Sequence, residues 1–167
     1  MALLQISEPG QSPVPHQFKR AIGIDLGTTN SLVAAVANKG GANNGVANVI
    51  KDAEGRAILP SVVHYDASGA QCVGYEAQAI AVDDPYNTLA SFKRLMGRGL
   101  NDVGDTSQFQ IVPPKDALTD TADKNDVIRI ATAAGEVTAT QASAEILKSL
   151  TARAADALGG AIEGAVI

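Results

Sequence analysis

Short apolar runs separated by polar and glycine-rich turns fill most of the chain, a pattern typical of β-strands. The first half of the stretch 21–31 is apolar and rich in isoleucine, and a second apolar run at 32–36 follows a short polar break. Further extended segments are predicted at 46–50, 58–65 and 70–73, each bounded by turn residues. The pattern therefore predicts a sheet whose first two strands form a hairpin.

Helical patterns occur in three places, of which the last is the clearest. Residues 75–82 form a short helical pattern, and residues 89–96 are predicted to be helical or tightly turned. Residues 140–158 predict a long helix that begins with a capping box from Thr138 to Gln141. Its predicted buried stripe is Ile146, Leu147, Leu150, Ala154 and Leu158, and its predicted solvated side is Glu145, Lys148, Arg153 and Asp156.

Composition and charge fit a globular domain and exclude several classes of partner. The 167 residues are 46% hydrophobic and 19% charged, with a net charge of −5. That charge argues against a surface for nucleic acid or for an anionic membrane, and no apolar run is long enough to span a bilayer. The single Cys72 permits no internal disulfide. Together with the lack of a recognisable signal segment, this predicts a cytoplasmic protein.

The break between the first two strands carries groups that a simple hairpin does not need. Asp25 lies two residues before the break, which contains Gly27, Thr28, Thr29 and Asn30. Successive backbone N–H groups can form an anion-binding concavity, and a carboxylate can hold Mg²⁺ through its waters. We interpret the segment as a phosphate-and-magnesium hairpin for ATP. The alternative is an ordinary turn, because Gly and Asn tolerate positive φ.

Two blocks of sequence resemble one protein family. Residues 23–31, Gly-Ile-Asp-Leu-Gly-Thr-Thr-Asn-Ser, resemble the first phosphate motif of the seventy-kilodalton heat-shock chaperones of the DnaK type. Residues 87–98, Asn-Thr-Leu-Ala-Ser-Phe-Lys-Arg-Leu-Met-Gly-Arg, resemble the same family's lysine segment. The two blocks stand in the right order and at about the right separation. The opening residues 1–10 resemble those of the family branch devoted to iron–sulfur cluster assembly.

The resemblance implies a role for each polar residue of these blocks. Asp25 would hold Mg²⁺ through water, and Thr28 would lie near the γ-phosphate. The implied phosphate-binding residues are Gly27, Thr28, Thr29 and Asn30. Lys93 would orient the attacking water and balance the developing charge, so that Lys93 and Thr28 are the catalytic candidates. From the residues alone, the favoured explanation of Lys93 is a cation in the last turn of a helix or a solvated charge.

The resemblance also implies a fold and a division of the chain. The fold would be α/β, the first lobe of an actin-like (ribonuclease H-like) ATPase, with a mixed sheet and helices and incomplete at the C-terminus. We expect a flexible arm at 1–18, a core subdomain from 19–60 and 137–167, and an inserted upper subdomain at 61–136. Because the family's last strand here continues into further segments, we expect a truncated piece that lacks half of the nucleotide cleft and is inactive alone, without bound ligand.

For the full-length protein, the resemblance implies an ATP-hydrolysing molecular chaperone. Its cofactors would be ATP or ADP with Mg²⁺, and K⁺ is a further candidate. The implied partners are a J-domain co-chaperone and an iron–sulfur scaffold protein, with no nucleic acid and no membrane. The isolated piece is expected to self-associate through an exposed sheet edge and an uncovered apolar face.

Two alternatives share the same fold and stay open at this point. One is a sugar or acetate kinase with the same Asp-x-Gly-Thr hairpin, and the other is a filament protein that nucleotide controls. A P-loop mechanism is excluded because no Gly-x-x-x-x-Gly-Lys-[Ser/Thr] occurs, and no Gly-x-Gly-x-x-Gly supports dinucleotide binding. His64 has no second ligand at metal-binding spacing and is predicted to be a core or edge histidine.

Overall fold

A computed structural model describes most of the chain between residue 20 and its last residue. The described residues are 20–36, 45–99, 102, 104, 106–112 and 127–167. The predicted arm at 1–18 lies outside them, and so does nearly all of the polar, glycine-rich segment 38–45, which the sequence predicts to be a loop. The described elements, in chain order, are β1 (Ala21–Asp25), β2 (Asn30–Val36), β3 (Ala47–Val49), β4 (Leu59–Pro60), β5 (Val62–Asp66), β6 (Gly69–Val73), α1 (Tyr75–Ile80), β7 (Thr88–Ala90), a 3₁₀ helix (Phe92–Leu95), β8 (Ile111–Val112), β9 (Arg129–Thr132), β10 (Gly135–Thr138), α2 (Ala139–Leu158) and β11 (Gly164–Val166).

Within the described residues, the strands form one larger mixed sheet and two smaller antiparallel sheets. The larger sheet has the order β11-β1-β2-β3, and β4 pairs with the beginning of β2. β1 and β2 are antiparallel, as the hairpin pattern predicts, whereas β11 lies parallel to β1. The smaller sheets have the orders β6-β5-β7 and β10-β9-β8. The predicted mixed sheet is therefore present, with the first hairpin at its centre.

Helix α2 and the sheets share one apolar core. Alternate residues Ile22 and Ile24 of β1 are buried, and they belong to the same cluster as Ile146 and Leu150 of α2. The helix packs against β1, β2, β5 and the 3₁₀ helix. The predicted stripe is confirmed, with Ile146, Leu150 and Ala154 fully buried and Leu147 and Leu158 partly buried. Helix α2 thus holds β1 and the 3₁₀ helix in fixed positions through one shared core.

Both ends of α2 are closed by specific hydrogen bonds. The capping box is present, because the Thr138 hydroxyl accepts from the Gln141 N–H and the Gln141 side chain accepts from the Thr138 N–H. At the other end Gly159 adopts the left-handed conformation at φ 67°. The Arg20 Nε atom also donates to the Leu158 carbonyl at 3.2 Å. These bonds satisfy groups that a helix cannot pair internally.

The prediction of a helix over 89–96 is wrong in its first half. Thr88–Ala90 is a strand that pairs antiparallel with β5, and only Phe92–Leu95 is helical. Ser91 separates the two in a left-handed conformation, φ 55°. The apolar residues at spacing three are typical of a helix, but pairing with an available strand edge overrides this local periodicity.

Two charged or polar residues differ from, or refine, the sequence expectations. Arg153 was predicted to be solvated, but its side chain is only 11% exposed and its Nη2 atom lies 3.8 Å from Asp52. His64 is buried, as expected of a core histidine, and its Nε2 atom lies 3.1 Å from an Asp84 carboxylate oxygen. Hydrogen bonds from the Asn87 amide and from His64 lower the pKa of Asp84. Arg153 and His64 thus each contact an aspartate carboxylate within the protein.

Two searches of the described part of the chain were negative. No helix there combines the length and the apolar character that crossing a lipid bilayer requires. Likewise, the described His, Cys, Asp and Glu side chains form no group of three or more that could hold a metal ion.

Candidate phosphate-binding site

The candidate site is built on the tip of the β1–β2 hairpin. The last paired residues of the two strands are Asp25 and Leu32, so the chain between them forms the tip. Thr28, Thr29 and Asn30 are exposed there, and Asp25 is exposed at the end of β1. The buried alternate residues of β1 fix these polar groups at the end of two central strands, and a site built on strands is positioned more precisely than one on a loop.

Gly27 gives the tip its tight shape. A Cβ atom at this position would collide with the backbone carbonyl of Asn30, so only glycine fits without moving the main chain. Its N–H donates to the Ser31 hydroxyl at 3.2 Å, and its carbonyl accepts from the Ser61 hydroxyl at 2.8 Å. The N–H of Gly27 is therefore engaged within the tip, and its direct donation to a phosphate stays a prediction.

The next two residues leave their donors available. Neither the N–H groups nor the hydroxyls of Thr28 and Thr29 donate a hydrogen bond to another residue of the described ranges. Both side chains face solvent. Unpaired N–H groups beside free hydroxyls are the donor set that a phosphate requires.

Lys93 reaches the hairpin tip from a segment 67 residues away. Its Nζ atom donates to the carbonyl of Leu26, between Asp25 and Gly27. The 3₁₀ helix that carries it is anchored by the buried side chains of Phe92 and Leu95. Lys93 does lie in the last turn of this 3₁₀ helix, but its side chain is half-buried and bonded to the hairpin instead of being solvated.

The structure thus brings the predicted site residues to one place. A carboxylate, two exposed threonines, Asn30 and a lysine ammonium surround the same turn. One carboxylate with room for waters suits Mg²⁺, which usually keeps several waters, and the ammonium with the N–H groups suits phosphate oxygens. The residues present fit a magnesium–polyphosphate group.

Sequence reasoning missed the residues that support the tip from below. Ser31 and Ser61 are both 2% exposed, and their hydroxyl oxygens lie 2.9 Å apart. Ser61 lies between β4 and β5, which the sequence pattern merged into one extended segment. A serine in an apolar stretch beside Pro60 is the only sequence signal, and it does not indicate which turn the hydroxyl contacts.

A separate cavity of about 550 Å³ lies where α2 faces β6 and the loop before β4. None of the predicted site residues lines it. Several of its charged groups pair with one another, and Asp52 contacts both Arg56 and Arg153. The cavity therefore plays no part in the candidate phosphate site.

Comparison with known proteins decides the family. The family model described as "Hsp70 protein" matches residues 21–167. The chain belongs to the Hsp70 family. The match includes the hairpin and the Lys93 segment together, and it confirms the predicted resemblance and the actin-like ATPase fold.

Individual relatives within the Hsp70 family are similar over the whole chain. It is 54% identical to a chaperone protein HscA homolog of Methylobacillus flagellatus, 51% to one of Acidovorax ebreus and 50% to one of Cupriavidus metallidurans. Each alignment covers 100% of this chain but 25% of the relative. The chain therefore spans about a quarter of the length of these Hsp70 relatives.

Proposed function

We propose that the chain is the N-terminal part of the ATP-binding and hydrolysing domain of a molecular chaperone. In the full-length protein, the β1–β2 hairpin would bind the phosphates and Lys93 would act on the transferred γ-phosphoryl group. The observation that carries this proposal is the bond from the Lys93 ammonium to the carbonyl of Leu26. This bond brings together two segments that are distant in sequence, the phosphate-binding hairpin and the lysine that would act on the γ-phosphoryl group.

The contacts of Lys93 suit phosphoryl transfer to water. An ammonium has three donors, and the Leu26 carbonyl takes one of them. The other two can orient an attacking water and a γ-phosphate oxygen at the hairpin tip. Phosphoryl transfer depends on positioning and charge neutralisation more than on covalent catalysis. A lysine held beside the phosphates can therefore contribute to catalysis without forming a covalent bond.

The remaining residues of the tip would bind the nucleotide and its cation. Thr28 and Thr29 offer free N–H groups and hydroxyls, and the exposed Asp25 carboxylate would hold Mg²⁺ through its waters. Bound Mg²⁺ would neutralise charge on the phosphates during transfer. The family resemblance alone supports K⁺ as a further cation.

The similarity to HscA homologs supports the iron–sulfur branch of the family. We propose that the full-length protein acts in iron–sulfur cluster maturation in the cytoplasm, with a J-domain co-chaperone and an iron–sulfur scaffold protein as partners. The family match favours this function over a sugar or acetate kinase and over a nucleotide-controlled filament.

The sheets support the proposed division of the domain. The five strands of the larger sheet fall within 19–60 and 137–167, the proposed core subdomain. The β6-β5-β7 sheet falls within 61–136, the proposed upper subdomain, and so does most of the β10-β9-β8 sheet. The chain would thus return to its first sheet after one insertion.

An assay of the full-length protein separates the three functions. With Mg-ATP, we expect release of inorganic phosphate to water, stimulated when the J-domain co-chaperone and the iron–sulfur scaffold protein are added together. Phosphate transfer to glycerol or acetate in place of water would show a kinase and contradict the proposal. ATP-dependent sedimentation of polymers without scaffold-stimulated hydrolysis would favour the filament function instead.

A further inference from the structure

Two buried serines form a closed set of hydrogen bonds on Gly27. The Gly27 N–H donates to the Ser31 hydroxyl at 3.2 Å, and the Ser61 hydroxyl donates to the Gly27 carbonyl at 2.8 Å. The two hydroxyl oxygens are 2.9 Å apart. A hydroxyl has a single hydrogen, and that of Ser61 is already donated to Gly27, so Ser31 must be the donor between the two. The circuit therefore begins and ends on one residue and fixes both of its peptide planes.

Ser61 also holds the other side of Thr28. Its backbone N–H donates to the Thr29 carbonyl at 2.8 Å. The side chain and the main chain of one residue thus bind the carbonyls of Gly27 and Thr29, which flank Thr28 in sequence. Thr28 itself makes no hydrogen bond to another described residue, so its orientation depends on these flanking bonds.

Burial makes this arrangement specific. Both hydroxyls are 2% exposed, so water cannot readily replace a lost partner. A buried polar group without a partner carries its full desolvation cost, and the tip would have to shift to satisfy it. The structure therefore holds the turn in one conformation through Ser61, which lies outside the turn, together with Ser31 inside it.

We propose that Ser61, supported by Ser31, is a positioning residue for ATP hydrolysis. It fixes the peptide groups around Thr28 so that their N–H groups and the Thr28 hydroxyl point at the terminal phosphate, opposite Lys93. The inference rests on the proposed function of the hairpin. Because donors aligned in advance lower the barrier of phosphoryl transfer, loss of this alignment acts on the chemical step more than on binding.

The test compares serine variants of the full-length protein. Ser61→Ala removes the hydroxyl and leaves the backbone bond to Thr29. We expect the single-turnover hydrolysis rate to fall roughly 10- to 100-fold, while the Kd for Mg-ATP measured by calorimetry changes by less than about threefold. Ser61→Thr retains a hydroxyl and is expected to recover part of the rate. Ser31→Ala is expected to lower the rate too, and the double variant to lose little more than Ser61→Ala, because both residues act through one circuit.

Ser143→Ala is the matched control. Ser143 is also a buried serine, 3% exposed, and its hydroxyl contacts the Met96 sulfur instead of the hairpin. It is expected to lower thermal stability without changing the hydrolysis rate of the folded protein. Equal single-turnover rates in Ser61→Ala, Ser31→Ala and Ser143→Ala would overturn the inference.

Lys93→Ala, measured in parallel, distinguishes this inference from the proposed function. If Lys93→Ala loses hydrolysis while both hairpin serine variants keep the wild-type rate, only the positioning role fails. If Lys93→Ala keeps the wild-type rate, the proposed function of the site fails, and the positioning role fails with it.

Discussion

At the scale of single residues, the described contacts explain why the tip has this composition. Gly27 leaves room for the Asn30 carbonyl, and Lys93 closes on Leu26. The sequence pattern identified these two positions through a motif resemblance. It could not identify Ser61, because a hydroxyl's partner 34 residues away depends on how β4 and β2 pair.

Replacing Gly27 by alanine tests the shape of the tip. The added Cβ must displace the Asn30 carbonyl, and a backbone shift of this kind costs about 1–3 kcal/mol. We expect the affinity of the full-length protein for Mg-ATP, measured by calorimetry, to fall roughly tenfold or more. Gly104→Ala is the control, because a Cβ there meets nothing within 4 Å. Wild-type affinity in Gly27→Ala would contradict the tight-turn account.

At the scale of elements, the sequence predicts strongly periodic segments correctly. It fails where strand pairing competes with a local helical pattern. The long helix was predicted from residue 140 and begins at Ala139, with its capping box and its terminal glycine in place. The helix prediction for the segment around Leu89 was wrong, because this segment pairs with the edge of β5, which the local sequence pattern does not show. The prediction that Arg153 is solvated was wrong for a related reason, since its ion-pair partner Asp52 lies about a hundred residues earlier in the chain.

The capping box of α2 gives an element-scale prediction. Thr138→Ala removes the hydroxyl that accepts from the Gln141 N–H, at a typical cost of about 1 kcal/mol. We expect amides in the first turns of α2 to exchange hydrogen about fivefold faster, measured by mass spectrometry on the full-length protein. Thr140→Ala, at an exposed position inside the helix, should leave the exchange unchanged or slower. Equal exchange in the two variants would show that the box is not stabilising.

At the scale of the whole molecule, the two outer strands of the larger sheet have no further strand beside them within the described residues. These strands are β3 and β11, and every residue of both is exposed. Val166 is 76% exposed. Unpaired strand edges with apolar side chains are templates for pairing with another chain.

We therefore predict that the isolated chain self-associates as its concentration rises, which light scattering measures. Lysine at Val49 or at Val166 should reduce association, because a charge on an edge strand opposes pairing. Val82→Lys is the control, since Val82 is 87% exposed and lies outside the strands. A monomer at every concentration would contradict the prediction, and so would equal effects of the three substitutions.

Lys93 joins the two blocks of the chain that resemble the family, and one measurement tests its role. In the full-length protein, single-turnover ATP hydrolysis is compared in Lys93→Ala and in Lys51→Ala, which replaces an exposed lysine outside the hairpin tip. We predict that Lys93→Ala lowers the rate roughly 100-fold or more while the Kd for Mg-ATP stays within about threefold, and that Lys51→Ala changes neither. Wild-type turnover in Lys93→Ala would contradict the claim that its ammonium acts on the phosphates at the tip of the hairpin.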